Sequence, residues 1–153
     1  MTNPRQRIET DLKQALKAGD KERLSTLRML LTEINNERIR HGGEVDETGF
    51  VAVVRKAIKQ RHEAAEQFRK GGREESAAKE EREAAVLGAY LPQQASDEEI
   101  RAAIVELCDA EDLTGKAAIG RLMQQMLARF GTRADGATVN RIAREVLTAR
   151  DPS

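Results

Sequence analysis

Aromatic side chains are nearly missing from this chain, which has no Trp, three Phe and one Tyr. A core must therefore be built from Leu, Ile, Val, Met and Ala, and the stacking platforms that grip single-stranded nucleic acid are absent. Cys108 is the only cysteine, so no intrachain disulfide can form and a reducing compartment is unremarkable. His41 and His62 stand far apart, without HxxxH, HExxH or CxxC company, so neither a metal nor another cofactor is expected. No apolar run approaches the roughly 18 residues that cross a bilayer, and no membrane partner is expected. Thr2-Asn3-Pro4 opens into a charged helix without the apolar core of a signal peptide, so the sequence reads as cytoplasmic. Net charge is missing as well: 26 Lys/Arg balance 26 Asp/Glu. Global charge therefore names no polyanionic partner.

Charge and helix formers are abundant. Charged residues make up 34% of the 153, and Ala, Leu, Glu, Arg and Lys dominate. That composition belongs to an all-helical protein. The charge is also unevenly placed. Residues 96–112 hold seven acids against Arg101, whereas residues 113–150 hold seven bases against Asp135 and Glu145. The first 95 residues interleave 18 bases with 16 acids. Leu91-Pro92 separates these regimes, because Pro92 cannot extend a helix and pushes Leu91 toward extended geometry.

The expected fold is all-α, an N-terminal antiparallel helical bundle over 1–91 and a smaller three-helix C-terminal domain over 96–150, joined by a linker at 92–95. Pro4 suits the first turn of a helix to Ala18, Gly19 its C-terminal cap, and Asp20 the N-cap of the next. That second helix, about Lys21 to His41, carries a seam of Leu24, Leu27, Leu31, Ile34 and Arg38. Gly42-Gly43 and Gly71-Gly72 are turns, and Asp46 caps a third helix to about Lys70 with Phe50, Ala57 and Phe68 facing inward. A fourth helix spans about Arg73 to Tyr90 and leaves Tyr90 at the linker. Ser96-Asp97-Glu98-Glu99 reads as a capping box, with three acids that also suit the helix dipole. Helices near 114–130 and beyond Gly136 complete the chain, with Leu122, Met126 and Leu127, then Val139, Ile142, Ala143, Val146 and Leu147, turned inward.

Strings along the chain resemble a known family. Leu12-Lys13, Ala15, Lys17-Ala18, Asp20-Lys21 and Arg23 through Leu30 resemble the opening of the YqeY family. Lys59-Gln60-Arg61, Glu63, Ala65-Glu66-Gln67-Phe68, Gly72-Arg73 and Tyr90-Leu91-Pro92 with Gln94 continue the likeness in order. Gly120 through Met123, Arg133-Ala134-Asp135-Gly136 and Val139-Asn140 complete it. The family consists of free-standing relatives of the tail of GatB, the tRNA-binding subunit of the tRNA-dependent amidotransferase. The resemblance implies a helical bundle followed by a smaller helical domain, with tRNA or a tRNA-dependent enzyme as candidate partner. Amidation itself does not follow, since the GatB catalytic core has no counterpart here. Ala118 and Ala137 also stand where the family often has an Asp and a basic residue.

The candidate nucleic-acid-binding residues are Lys116, Arg121, Arg129, Arg133, Arg141 and Arg144. Arg133 lies in a loop between two glycines, and Arg141 and Arg144 share a face of the last helix. Guanidinium matches phosphate bidentately, so shape and phosphate contacts to a folded RNA are the chemistry expected. The competing reading is that these arginines are solvated helix faces paired with the acidic first helix of their own domain. Lys59, Arg61, Arg69 and Arg73 form a second basic stretch, for which surface pairs such as Lys59–Glu63 are the plainer account. Arg28 is expected to partner a carboxylate at the bundle edge. Cys108 is expected one step off the inner face of its helix. No catalytic residue is assigned. The alternatives are a protein–protein interaction module without an RNA role, or a component of glutamine-dependent carbon–nitrogen ligase activity by homology.

Overall fold

A computed structural model describes residues 3–150 and divides the chain into two compact units between Leu91 and Pro92. Among the described residues there are seven α-helices and no strand. The N-terminal unit contains α1 (Pro4–Ala18), α2 (Lys21–His41), α3 (Glu47–Lys70) and α4 (Glu74–Gly88). α1 packs on α2 and α3 on α4, while α2 meets both α3 and α4. Local chemistry sets these boundaries. The Asn3 side chain accepts from the Gln6 amide at 2.9 Å and Gln6 reciprocates at 3.3 Å, a capping box. Gly19 ends α1 in the left-handed region, φ 71°, and Asp20 accepts from the Arg23 amide to start α2. At Gly49 a Cβ would lie 2.9 Å from Val45, so the start of α3 has no room for a side chain there.

Ile8, Leu27, Leu30, Ile34, Phe50, Val54 and Leu87 are fully buried. On α2 the buried arc takes in Thr26 and Leu30, while Leu31 is only partly covered. The physical reason is that α2 touches three other helices, so a narrow two-partner seam is too small. Tyr90, expected at the linker, is in this core with 4% of its surface exposed. Its ring meets Phe50 edge-on with centroids 6.2 Å apart, and the Arg7 guanidinium lies 5.4 Å over its face. The phenol donates to Asp11, and burial followed by this bond pushes the Tyr90 hydroxyl well above its ordinary range. Arg61, part of the second basic stretch, is also an inward residue. Its side chain is 16% exposed and lies 3.0 Å from Glu83 and 3.7 Å from Glu80, with Met29 sulfur 3.4 Å away. Burial, then repulsion from Glu80, raises Glu83 above the ordinary carboxylate range; Arg61 and Lys79 oppose this.

The C-terminal unit contains α5 (Asp97–Glu111), a 3-10 turn at Lys116–Ala118, α6 (Ile119–Phe130), a second such turn at Gly131–Arg133, and α7 (Gly136–Arg150). Its core joins Ile100, Ile104 and Cys108 to Leu122, Met126, Phe130 and the expected inner face of α7. Two expectations shift. Cys108 is fully buried and Leu107 is the residue left at the edge, because α5 packs on both α6 and α7. Leu127 is 40% exposed, one step past the narrow stripe of Leu122, Met126 and Phe130. Residues 92–95 are bonded into this unit: the Ala95 amide donates to the Arg133 carbonyl at 2.8 Å, and Gln94 donates to the Thr132 carbonyl at 3.1 Å.

Tyr90→Phe leaves Asp11 without its donor and should destabilise the N-terminal unit by about 1–3 kcal/mol, read from urea unfolding. The raised Glu83 gives a second expectation. A folded carboxyl that titrates above its unfolded value contributes stability that is present below the unfolded value, near pH 4.3, and is lost as the pH rises through the folded one. The stability difference between Glu83→Gln and wild type should therefore shift in favour of the variant from pH 4 to pH 7. A difference that stays flat over that range contradicts the burial of this carboxylate.

Candidate nucleic-acid interface

The six cations singled out in the C-terminal domain sit on three supports: the turn before α6, α6 itself, and the loop and helix that end the chain. α5 faces them with its acids, and the helix is built to hold those acids outward. Ser96 caps it by accepting from the Glu99 amide at 3.0 Å, and Asp97, Glu98 and Glu99 fill a first turn where the helix dipole favours negative charge. The reciprocal half of the expected capping box is not made. Glu99 turns instead to Arg133, 3.1 Å away, while the Arg133 Nε donates to the Gln93 carbonyl at 3.2 Å.

Arg141 is shared between Asp97 at 2.8 Å and Glu145 at 3.2 Å, and Glu145 also receives Arg101. These four side chains tie α5 to α7 in one chain of alternating charge. Bonds from Arg101 and then Arg141 hold Glu145 below its usual range, and Asp97 with Glu145 raises Arg141. Arg121 grips Glu111 with two bonds, 3.0 and 2.9 Å, which lowers that carboxylate. Arg129 is 3.7 Å from Glu106 and lies over the Phe130 ring. Arg144 donates to Asn140 at 2.8 Å, and Lys116 is exposed with no ion pair among the described residues. Thus, among the described residues, four of the six face a carboxylate of their own unit, and Lys116 and Arg144 do not. The pairs lie at the surface, where each contributes only about 0.2–1 kcal/mol and salt screens it.

The second stretch does not form one face. Lys59 is 3.9 Å from Glu63, Arg69 bridges Glu74 and Glu81, Arg61 is turned into the helix interface, and Arg73 is exposed just before α4. Arg28, expected beside a carboxylate, is exposed without an ion pair among the described residues, because its position falls outside the buried arc of α2. Glu83 was not anticipated; an inward-facing Arg61 on the partner helix is the signal that could have found it.

No group of three or more His, Cys, Asp or Glu that could hold a metal occurs among the described residues. The Cys108 thiol is pushed up by burial, the reverse of what a nucleophile needs. Both histidines lie in the N-terminal unit, beside Glu37 and Glu81. No described helix is long and apolar enough to cross a membrane.

Comparison with known proteins extends the geometry. A yeast protein of Lachancea thermotolerans, "Altered inheritance of mitochondria protein 41, mitochondrial", is 36% identical over 65% of this chain and 55% of its own length. The protein of the same name from Pyrenophora tritici-repentis is 26% identical over 94% of this chain and 81% of its own length. That from Eremothecium gossypii is 32% identical over 72% and 55%. The chain thus spans about half the length of several of these relatives. Their mitochondrial names overturn the cytoplasmic expectation, which rested on the opening residues, the single cysteine and the want of a long apolar run. Residues 5–147 match the family described as "Yqey-like protein", and the chain belongs to that family.

Proposed function

We propose that this chain is a non-catalytic helical accessory protein of tRNA-dependent amidation, and that its C-terminal unit contacts tRNA through phosphates. The observation that carries the reading is the exposed row of guanidiniums on the last loop and helix. Arg133 and Arg141, with side chains 46% and 50% exposed, are held by carboxylates that are themselves exposed. Such pairs are cheap to exchange, and a phosphate offers the same bidentate acceptor. Arg144 faces no carboxylate among the described residues. The likeness to the GatB tail supplies tRNA as the polyanion, and the lack of aromatics restricts contact to backbone and shape.

A specific observation favours a second reading, a protein partner without RNA. Over residues 92–150 nine acids outnumber eight bases, and four of the six interface cations already face acids of this unit. A surface of alternating charge matches another such surface better than it matches a polyanion. Carbon–nitrogen ligase chemistry with glutamine as amide donor is a third reading. Against it stand a buried, raised thiol and the absence of a metal-holding cluster among the described residues.

Binding of the full chain to unfractionated tRNA across a salt series separates these readings. Saturable binding that weakens with salt is expected, and Arg133→Ala/Arg141→Ala/Arg144→Ala should flatten the log–log slope by about two to three, at roughly 0.7–0.9 per lost phosphate contact. No binding at low salt would favour the protein partner. The purified chain is expected to release no ammonia from glutamine; turnover above a heat-denatured control would establish the third reading.

A further inference from the structure

The cations left free by the ion-pair network are concentrated in the N-terminal unit, on the hairpin of α1 and α2. Between residues 10 and 32 there are three acids, and each is engaged. Asp11 accepts from Tyr90, Asp20 caps α2 through the Arg23 amide, and Glu22 takes Arg82 through two bonds at 2.8 and 3.2 Å. Lys13, Lys17, Lys21 and Arg28 are exposed, and none has an ion pair among the described residues. Each helix turns its cations away from its buried side. On α1 the buried residues are Ile8 and Ala15, with Lys13 and Lys17 one turn apart outside. On α2 the buried residues include Leu24 and Leu27, with Lys21 and Arg28 two turns apart outside, about 10 Å along the axis at ~1.5 Å per residue.

We infer that this outer face of the α1–α2 hairpin is a phosphate-binding surface for folded RNA. It is separate from the C-terminal arginines, although the inference rests on the reading of the chain as an RNA-contacting protein. Charge complementarity selects the occupant. Glu33, exposed on α2 with no ion pair among the described residues, is the one acid near these cations that is not engaged, so four free cations face one free acid and the surplus is positive. Such a field is answered by a dense polyanion better than by a protein surface of mixed charge. A lipid surface would call for an apolar stripe between the cations. The exposed apolar residues here are Leu16 on α1 and Met29 on α2, one on each helix and no continuous stripe. Ser25 and Thr32 on α2 are exposed hydroxyls, and the Thr32 hydroxyl donates to the Arg28 carbonyl at 3.0 Å. The contrast with the C-terminal unit is physical. There a guanidinium must leave a carboxylate to meet a phosphate; here nothing is displaced.

The test titrates the full chain against unfractionated tRNA over a salt series, with Lys13→Gln/Lys17→Gln/Lys21→Gln/Arg28→Gln beside the C-terminal triple variant. All four positions are exposed, and a thermal melt checks that the variant keeps its fold. The quadruple variant should bind at least about tenfold more weakly at 50 mM salt, and its log–log slope should fall by about three, at roughly 0.7–0.9 per lost phosphate contact. Lys13→Arg/Lys17→Arg/Lys21→Arg, which keeps the charge, should bind as wild type does. An unchanged slope in the quadruple variant with a reduced slope in the C-terminal triple overturns this inference and leaves the proposed function standing. The reverse pattern supports the inference and removes the C-terminal contact. No tRNA binding by wild type, with or without binding to vesicles of one-third phosphatidylserine, overturns both.

Discussion

Charge has to be stored on this molecule, because a chain with 26 bases and 26 acids can bury very few of them and has little apolar surface with which to do it. The two units meet that constraint differently. In the C-terminal unit α5 presents acids outward, and the arginines of α6, the last loop and α7 lean onto them. The packing of three short helices is thereby laced on its outside by pairs that are individually weak. The N-terminal unit draws one guanidinium inward. Arg61 between Glu80 and Glu83 joins α3 to α4 where an aliphatic pair would have been simpler. Replacing such a cluster by well-packed apolar residues is often neutral or stabilising, so its presence speaks for orientation of the hairpin more than for stability.

That arrangement bears on function. The C-terminal arginines, on which the proposed function rests, lie on the surface most occupied by its own acids. The hairpin of α1 and α2, which carries the opening of the family resemblance, has lysines without an ion pair among the described residues. An RNA approaching this protein would thus meet two kinds of cation: those ready in advance and those released only by exchange. On the proposed reading the first kind would govern encounter and the second would add contact once phosphates are close enough to compete.

Much of the fold could be read from punctuation. Asp20, Asp46 and Ser96 cap the helices they were expected to cap, and Gly19 and Gly42 end helices in the left-handed region. The inner face of α7 matches residue for residue, because that helix has a single broad apolar stripe. On α2 and α5 the buried arc is wider than the strongest apolar positions suggest, since it takes in Thr26 and Leu30 on the one and Cys108 on the other. Tyr90 was misplaced because a residue two positions beyond the end of a helix can fold back onto the core. The candidate cations were visible as residue types. The acidic first helix of the domain was visible as their competing partner, and four of the six do face it. The individual pairs were not, since Arg133 and Glu99 are 34 residues apart, Arg141 and Asp97 are 44, and no local pattern links them.

The scarcity of special side chains leaves one natural reporter in each unit. Tyr90 is the only tyrosine in a chain without tryptophan and is buried among α1, α3 and the end of α4. Cys108 is the only thiol and is sealed in the other unit's core. Tyrosine emission therefore follows the opening of the first unit, and the rate of thiol labelling follows that of the second. The order in which the two halves come apart can be watched in the unmodified protein, with no engineered probe.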